Sequence, residues 1–582
     1  KMQVNTSTLE EYTCKIAYYC SVDTLRCHEL LLKRNIIEDY IQIAKYTSIT
    51  ISNVFTNGVG CLVNNLYGRY CAKKDMLISM IRKGRIEKTK YGGGLVISPE
   101  MPSIEFLGQF VLVADVDFGS EYPNVIINSN ISNDTCVDIN SNNPNLNVIT
   151  DNFKVYGKYI PHNGDKTKMG IIPLMCEELL TARKETKQMM KLYKNNEQLY
   201  PYYKSKSNAL KVLANLIYGV TGYIYSPLYN KQVASSVTAS ARSFTRHVME
   251  IIKLQGCNVV YGDTDSVFYT LPTNMLKKIH DKYKPIDNPV IKKQFWTEMI
   301  NETIRFSKGL QLHINEVLKK ETGYSYLAVV LEKVLMPEIF PQKKMYFGIK
   351  HEEYADFDNP KLFMKGRIIK KNATKFYRTI STDIIWSVLG FKDQKEILMN
   401  NDKSIEQIIS EVVKKYIDEK DLNLFKLTDK YNPDFKRGNT KVINFVTRMS
   451  DKHRIEIVAG RFYYYIMTHQ DKKAQMYEKM WPCSKIKEDQ KFDYLYYFKS
   501  LRDICAPLLK KEIEETEQFL EMIYNENLKC SKQTTLDEAW NNLEKKLVET
   551  KFISNKKKRK PVKLDILISK RNQIDYYFQK KN

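Results

Sequence analysis

The chain has 582 residues, 43% of them hydrophobic, with Lys+Arg 91 against Asp+Glu 67 and a formal net charge of +24. That length and apolar share suffice for large cores and predict several domains rather than one. The cationic excess points to a polyanionic partner, nucleic acid first, bound more weakly as salt rises. The 11 cysteines show no Cys-x-x-Cys pair and no zinc-ligand spacing, and read as reduced thiols of an intracellular protein. There is no signal-peptide pattern, no apolar run of membrane-spanning length and no internal repeat.

Helical patterns are predicted over residues 23–46 and 60–82. Phe110-Val-Leu-Val113 reads as a buried strand leading into Ala114-Asp-Val-Asp-Phe-Gly-Ser-Glu-Tyr-Pro123. Asp117 ends that apolar run just before Gly119, and Asp115 shares its strand parity. Residues 128–144, rich in Asn and Ser, read as an irregular surface loop. A helix is predicted over 174–193, with Arg183, Lys187 and Lys191 at four-residue spacing on one face. After a short break a second helix is predicted over 205–218, with Lys211, Asn215, Tyr218 and Gly222 along one stripe. Two basic stripes on consecutive antiparallel helices suit a triphosphate, which Arg grips bidentately and Lys meets as a point charge.

Tyr261-Gly-Asp-Thr-Asp-Ser266 lies between Cys257-Asn-Val-Val260 and Val267-Phe-Tyr269, a β-hairpin pattern with Gly-Asp-Thr-Asp at its tip. Asp263 and Asp265, two apart, are expected on one side of the chain. Acids so placed repel unless a cation sits between them, and oxygen ligands favour a hard ion, Mg²⁺ first. With Asp117 they could hold a pair of divalent ions for phosphoryl transfer. Beyond residue 350 the chain reads as largely helical, and 511–528 as a charged amphipathic helix.

These segments resemble, in order, the motifs of family B (polymerase-α-like) DNA polymerases over residues 18–511. Motif A is similar to Asp117-Phe-Gly-Ser-Glu-Tyr-Pro123, motif B to Lys211-Val-Leu-Ala-Asn-Leu-Ile-Tyr-Gly219 and motif C to 261–266. Tyr91-Gly-Gly93 resembles the family's link between exonuclease and polymerase, and Lys343-Lys-Met-Tyr346 its primer–template minor-groove element. Lys365-Gly366 with Lys370-Lys-Asn372 resembles the basic stretch that follows. Asp493-Tyr-Leu-Tyr-Tyr497 and Pro507-Leu-Leu509 are similar to its thumb.

The resemblance implies an α+β right-hand fold with an antiparallel-sheet palm, helical fingers and a largely helical thumb. The implied domains are an exonuclease remnant and connector (1–93), palm (94–170), fingers (171–240), palm (241–350), thumb (351–511) and a basic tail (512–582). It implies a DNA-directed DNA polymerase extending a primer 3′ end with deoxynucleoside triphosphates and two Mg²⁺, Mn²⁺ being the alternative.

Asp117, Asp263 and Asp265 would be its catalytic acids, with Asp117, Asp265 and the Phe118 carbonyl on the metals. Tyr122 would lie under the sugar and exclude a 2′-hydroxyl. Arg183, Lys187 and Lys211 would bind the triphosphate, with Asn215 and Tyr218 lining the nascent pair. Lys343, Lys344 and Tyr346 would grip primer–template DNA.

Two positions depart from the family pattern. Glu121 stands where Leu is usual, either altering metal preference or fidelity or turning into solvent, and Leu216 replaces a Ser. Tyr19-Cys-Ser-Val-Asp23 resembles the third exonuclease motif without its two upstream partners, so no proofreading is expected. Gln533-Thr-Thr-Leu-Asp-Glu-Ala-Trp540 is an imperfect box for a sliding clamp or processivity factor. Lys556-Lys-Lys-Arg-Lys-Pro561 reads as a nuclear localisation signal or a DNA-touching tail. A large DNA virus is the expected source. A protein-primed relative and a non-catalytic scaffold are the alternatives; the scaffold should have lost one of the three aspartates.

Overall fold

The computed structural model describes residues 6–77, 90–100, 111–284, 288–366, 373–392, 396–397, 403–417, 421–433, 440–471, 473–486 and 491–528. The expectations for 370–372, 533–540 and 556–561 lie outside the described residues. The chain divides into two compact units, Lys1–Phe363 and Met364–Asn582.

The first unit opens with helices α1 (Thr6–Lys33), α2 (Ile36–Thr47), α3 (Ile51–Thr56) and α4 (Val59–Lys73). The helix expected over 23–46 is broken because Asn35 sits at φ 52, a left-handed conformation that ends α1 and starts α2. Tyr19 and Asp23 fall on α1, with Tyr19 exposed.

Next come β1 (Val111–Phe118), α5 (Glu121–Ser129), β2 (Cys136–Val137), β3 (Asn147–Asp151) and β4 (Lys154–Tyr159). The stretch read as loop thus contributes the end of α5 and one strand of a small sheet ordered β2-β4-β3. Helices α6 (Ile171–Leu192), α7 (Leu199–Gly222) and α8 (Lys231–Leu254) follow. Helix α7 starts earlier than its pattern predicts, because Pro201 falls in the first turn, where a missing N–H costs nothing. Tyr193 and Tyr203 stack at 5.7 Å where α6 and α7 meet.

Strands β5 (Asn258–Asp263) and β6 (Ser266–Thr270), helices α9 (Thr273–Lys282) and α10 (Pro289–Thr322), and strands β7 (Val329–Gln342), β8 (Met345–His351) and β9 (Lys361–Lys365) follow, β9 reaching the unit's end at Phe363 and running two residues past it. The main sheet runs β5-β6-β1-β7-β8-β9, and β1 pairs antiparallel with both β6 and β7. As a central strand β1 is buried on both faces, which is why its sequence is nearly continuous Val, Leu and Ala. Helix α10 is capped by the Asn288 side chain, begins with Pro289, and packs against β7 and β1. Val113, Val260, Tyr261, Phe268, Leu335, Phe340 and Tyr346 form a core within the sheet region.

The second unit was expected to be largely helical, and helices such as Lys375–Val388, Thr440–His453 and Ile513–Leu528 are there. It also contains a three-stranded antiparallel sheet of Leu427–Tyr431, Gly460–Ile466 and Met480–Pro482. The central strand, Arg461-Phe-Tyr-Tyr-Tyr-Ile466, has the aromatic composition that fits a pleated surface. Phe376, Phe425, Tyr497 and Phe498 are buried together in this unit. Among the described residues no helix is long and apolar enough to cross a membrane.

Candidate active site

Two neighbouring strand ends bring the first acids together. Asp117 pairs with Ser266 across the β1–β6 ladder, and the Phe118 amide donates to the Asp265 carbonyl at 2.9 Å. The β5–β6 turn is Thr264-Asp265, with Thr264 at φ 63. This φ is costly for a β-branched residue, and three neighbours hold it. The Thr264 amide donates to the Leu95 carbonyl at 2.6 Å, and its carbonyl accepts from the Thr245 hydroxyl at 3.0 Å. Gly94 packs against its side chain: a Cβ there would lie 2.9 Å from Thr264 Cγ2 and 3.2 Å from the Tyr122 hydroxyl.

The two hairpin acids do not share a side. Asp265 lines a cleft of ≈ 580 Å³ with Asp117, whereas Asp263 does not. The left-handed Thr264 ends the strand alternation that would have aligned them. Asp263 is buried instead, within 3.4 Å of Lys344 Nζ and accepting from the Thr264 hydroxyl at 3.1 Å. Asp115 faces away too, in a buried ion pair with Lys333 at 2.5 Å.

Asp117, Phe118, Tyr122, Arg183, Lys187, Lys211, Asn215 and Asp265 all line this one cleft. Tyr218 stands behind Tyr122, ring centroids 4.7 Å apart. Burial, Asp265 and Asp115 push the Asp117 carboxyl up to about 8. Opposite, burial lowers Arg183, while burial and then the neighbouring Arg183, Lys211 and Lys191 lower Lys187. Arg183 Nε is buried without a hydrogen-bond partner.

The site residues fit a divalent cation. Two carboxylates and a backbone carbonyl are oxygen donors, and repulsion between the acids is what such an ion relieves. No group of three or more His, Cys, Asp or Glu of metal-binding arrangement occurs among the described residues.

Glu121 neither turns into solvent nor stays ionised like a surface acid. It is 3% exposed, and burial pushes its carboxyl up to about 8. The Thr245 hydroxyl lies 2.9 Å from Glu121 Oε1 and 3.0 Å from each of the Ala241 and Thr264 carbonyl oxygens. A hydroxyl has one proton to give. A protonated Glu121 donates to Thr245 Oγ1 and leaves the threonine proton for a carbonyl.

The Lys-Lys-Met-Tyr element divides into separate parts. Lys343 and Lys344 are exposed on the turn after β7, and the Lys344 amide donates to the Tyr261 hydroxyl at 2.9 Å. Tyr346 is 1% exposed, packed against Tyr261, Phe268 and Phe340. Its ring therefore supports the hairpin from within the core.

Sequence reasoning did not find Arg242, Thr245 or Glu332. Glu332 lines the cleft from β7. Arg242 Nη1 donates to the Gly92 and Gly93 carbonyls at 3.2 and 2.6 Å, and its Nε to Asp151 Oδ2 at 2.7 Å. Thr238 also donates to the Gly92 carbonyl, at 2.9 Å. The signal was present in α8, whose buried face carries Ser235, Ser236, Thr238, Ser240, Arg242 and Thr245. A polar face this deeply buried must be satisfying partners elsewhere.

The DNA polymerase family B profile matches residues 49–299 and 291–511, and the chain belongs to that family. A DNA polymerase of African swine fever virus is 28% identical over 481 residues, covering 75% of this chain and 38% of the viral protein. The DNA polymerase delta catalytic subunit of Candida albicans is 24% identical, covering 90% of this chain and 47% of its own length. For the alpha catalytic subunit of Xenopus laevis the figures are 26%, 55% and 19%. The chain thus spans less than half the length of these relatives. The family B DNA polymerase of the archaeon Pyrobaculum calidifontis shares the fold at a TM-score of 0.55 and 19% identity, covering 82% of this chain and 54% of its own.

Proposed function

We propose that the chain is the polymerising part of a DNA-directed DNA polymerase that adds deoxynucleotides to a primer 3′ end, in viral DNA replication. One observation carries this reading: a single cleft holds two repelling acids on one side and three crowded cations on the other. A metal-bound nucleoside triphosphate satisfies both sides at once.

In this reading the main sheet is the palm, α6 and α7 the fingers, and the second unit the thumb. Asp117, Asp265 and the Phe118 carbonyl would hold two Mg²⁺, which when bound activate the primer 3′-hydroxyl and stabilise the departing pyrophosphate. Arg183, Lys187 and Lys211 grip the triphosphate and hold it in line for attack. Tyr122, backed by Tyr218, forms the floor under the sugar and leaves no room for a 2′-hydroxyl. Asn215 borders the base pair. Asp263 acts at one remove, fixing the turn through Thr264 and Lys344. Lys343 and Lys344 meet the phosphates of the primer–template duplex.

The test is primer extension on primed single-stranded DNA with Mg²⁺ and deoxynucleotides, beside Asp265→Ala. Extension that follows the template and vanishes in the variant supports the proposal. A folded wild-type chain that binds primed DNA and adds nothing points instead to a scaffold, to a part of the protein beyond this chain, or to a required protein primer.

A further inference from the structure

The β3–β4 hairpin turns through Asn152 and Phe153, with Asp151 paired to Lys154. Both turn residues have positive φ, 47 for Asn152 and 61 for Phe153. A two-residue turn of this hand favours Asn first and Gly second. Phe is a costly choice at the second position, and this one is fully exposed, so it gains nothing from burial. The base of the hairpin is fixed: Asp151 is buried and ion-paired to both Arg242 and Arg246. Tyr156 lies between Lys154 Nζ, 5.4 Å from its ring, and the Arg242 guanidinium, 5.6 Å away.

The same Arg242 holds the Gly92 and Gly93 carbonyls, so the hairpin and the loop beside the active-site cleft share one anchor. On that loop's other side, Gly222 abuts the Tyr91 hydroxyl, and the chain continues into exposed Tyr223 and Tyr225. Exposed aromatics interleaved with cations are what a single strand requires: rings for bases, charge for phosphates. On the hairpin itself Asp151 is outweighed by Lys154 and Lys158, which leaves it net positive.

We propose that the β3–β4 hairpin is a docking finger for single-stranded DNA, with Phe153 stacking on a base of the unpaired template. The inference rests on the polymerase reading for which strand arrives there, but its test does not require catalysis.

Affinity is measured by anisotropy on a labelled primer–template with a long 5′ single-stranded overhang, and on the same duplex with a one-nucleotide overhang. Phe153→Ala and Phe153→Gly should weaken long-overhang binding by about 5-fold or more, the range of one lost base stack, and leave the short-overhang duplex unchanged. Glycine relieves the turn, so Phe153→Gly should melt no lower than wild type. Phe153→Trp should restore binding, and its fluorescence should be quenched by oligodeoxythymidylate. Equal affinity of all variants for the long overhang overturns the proposal, as does an equal loss on both substrates. A change in sedimentation without a change in DNA affinity also overturns it, making the finger a protein contact. Since Asp265→Ala should bind the overhang normally while failing to extend, loss of the polymerase reading and loss of this one are separable.

Discussion

The floor and the roof of the cleft are built on opposite terms. On the floor, Asp117 and Asp265 lie at the ends of paired strands, and burial with mutual repulsion drives the Asp117 carboxyl up to about 8. On the roof, Arg183, Lys187 and Lys211 sit on two helices, and burial, then the neighbouring cations, drive Lys187 down. Each side crowds like charges together, and both sides line one cleft. The acids are held by a rigid ladder, the cations by long side chains on α6 and α7. A rigid negative floor suits ions whose positions must be fixed, and a compliant positive roof suits a flexible polyanion.

The floor depends most on Asp265. Its replacement by Ala should lower extension by on the order of 10³-fold or more, several kcal/mol of transition-state stabilisation. Without divalent ions the same variant should melt higher than wild type, because Asp117 loses its repelling neighbour; differential scanning calorimetry reads this. On the roof, Arg183→Ala should lower kcat/KM for a deoxynucleotide by about 10- to 150-fold, the value of one charge-assisted contact. Most of that change should appear in KM under steady-state extension.

Tyr122 sits between the two sides. Tyr122→Ala should cut discrimination against ribonucleotides by about 10- to 100-fold in competition assays while sparing extension with deoxynucleotides. Further from the cleft, Lys343→Ala and Lys344→Ala should each reduce the salt dependence of primed-DNA binding by about one ion, read by titration against KCl.

The smallest effect is a pH dependence at Glu121. Its carboxyl is protonated up to about 8 in the folded chain, against the usual 4.5 once unfolded. Folding therefore takes up a proton in that window. Its contribution to stability is full below about 4.5 and is lost as pH rises through 8. Glu121→Gln does not titrate and keeps a donor for Thr245. Measured without divalent ions, the variant should gain on wild type in melting temperature between pH 5 and 9. Parallel melting curves across that range would mean that Glu121 is ionised in the fold.

The acids at Asp117 and Asp265 were legible because strand composition flanks them and a turn signal follows. The basic rows were legible because α6 and α7 keep helical spacing from end to end. Asp263 was misjudged because alternation assumes extended backbone, and Thr264 at φ 63 is not extended. The sheet in the second unit was missed because its strands are short and separated by helices and loops, so no local period announces it. Arg242 and Thr245 were missed for a different reason. Their partners lie some 90 to 150 residues away in sequence, or 19 away at the β5–β6 turn, and only the folded chain brings them together.

The space around Gly94 ties two traits together. Its missing side chain lets the chain lie against both the Thr264 turn and the Tyr122 hydroxyl. One added methyl would press on Thr264, the residue before Asp265, and on the Tyr122 hydroxyl at once. If Asp265 sets the rate and Tyr122 the selectivity, as proposed above, those two positions can be adjusted separately. At position 94 the two traits move together, so selection acting on either trait alone would still be constrained by the other.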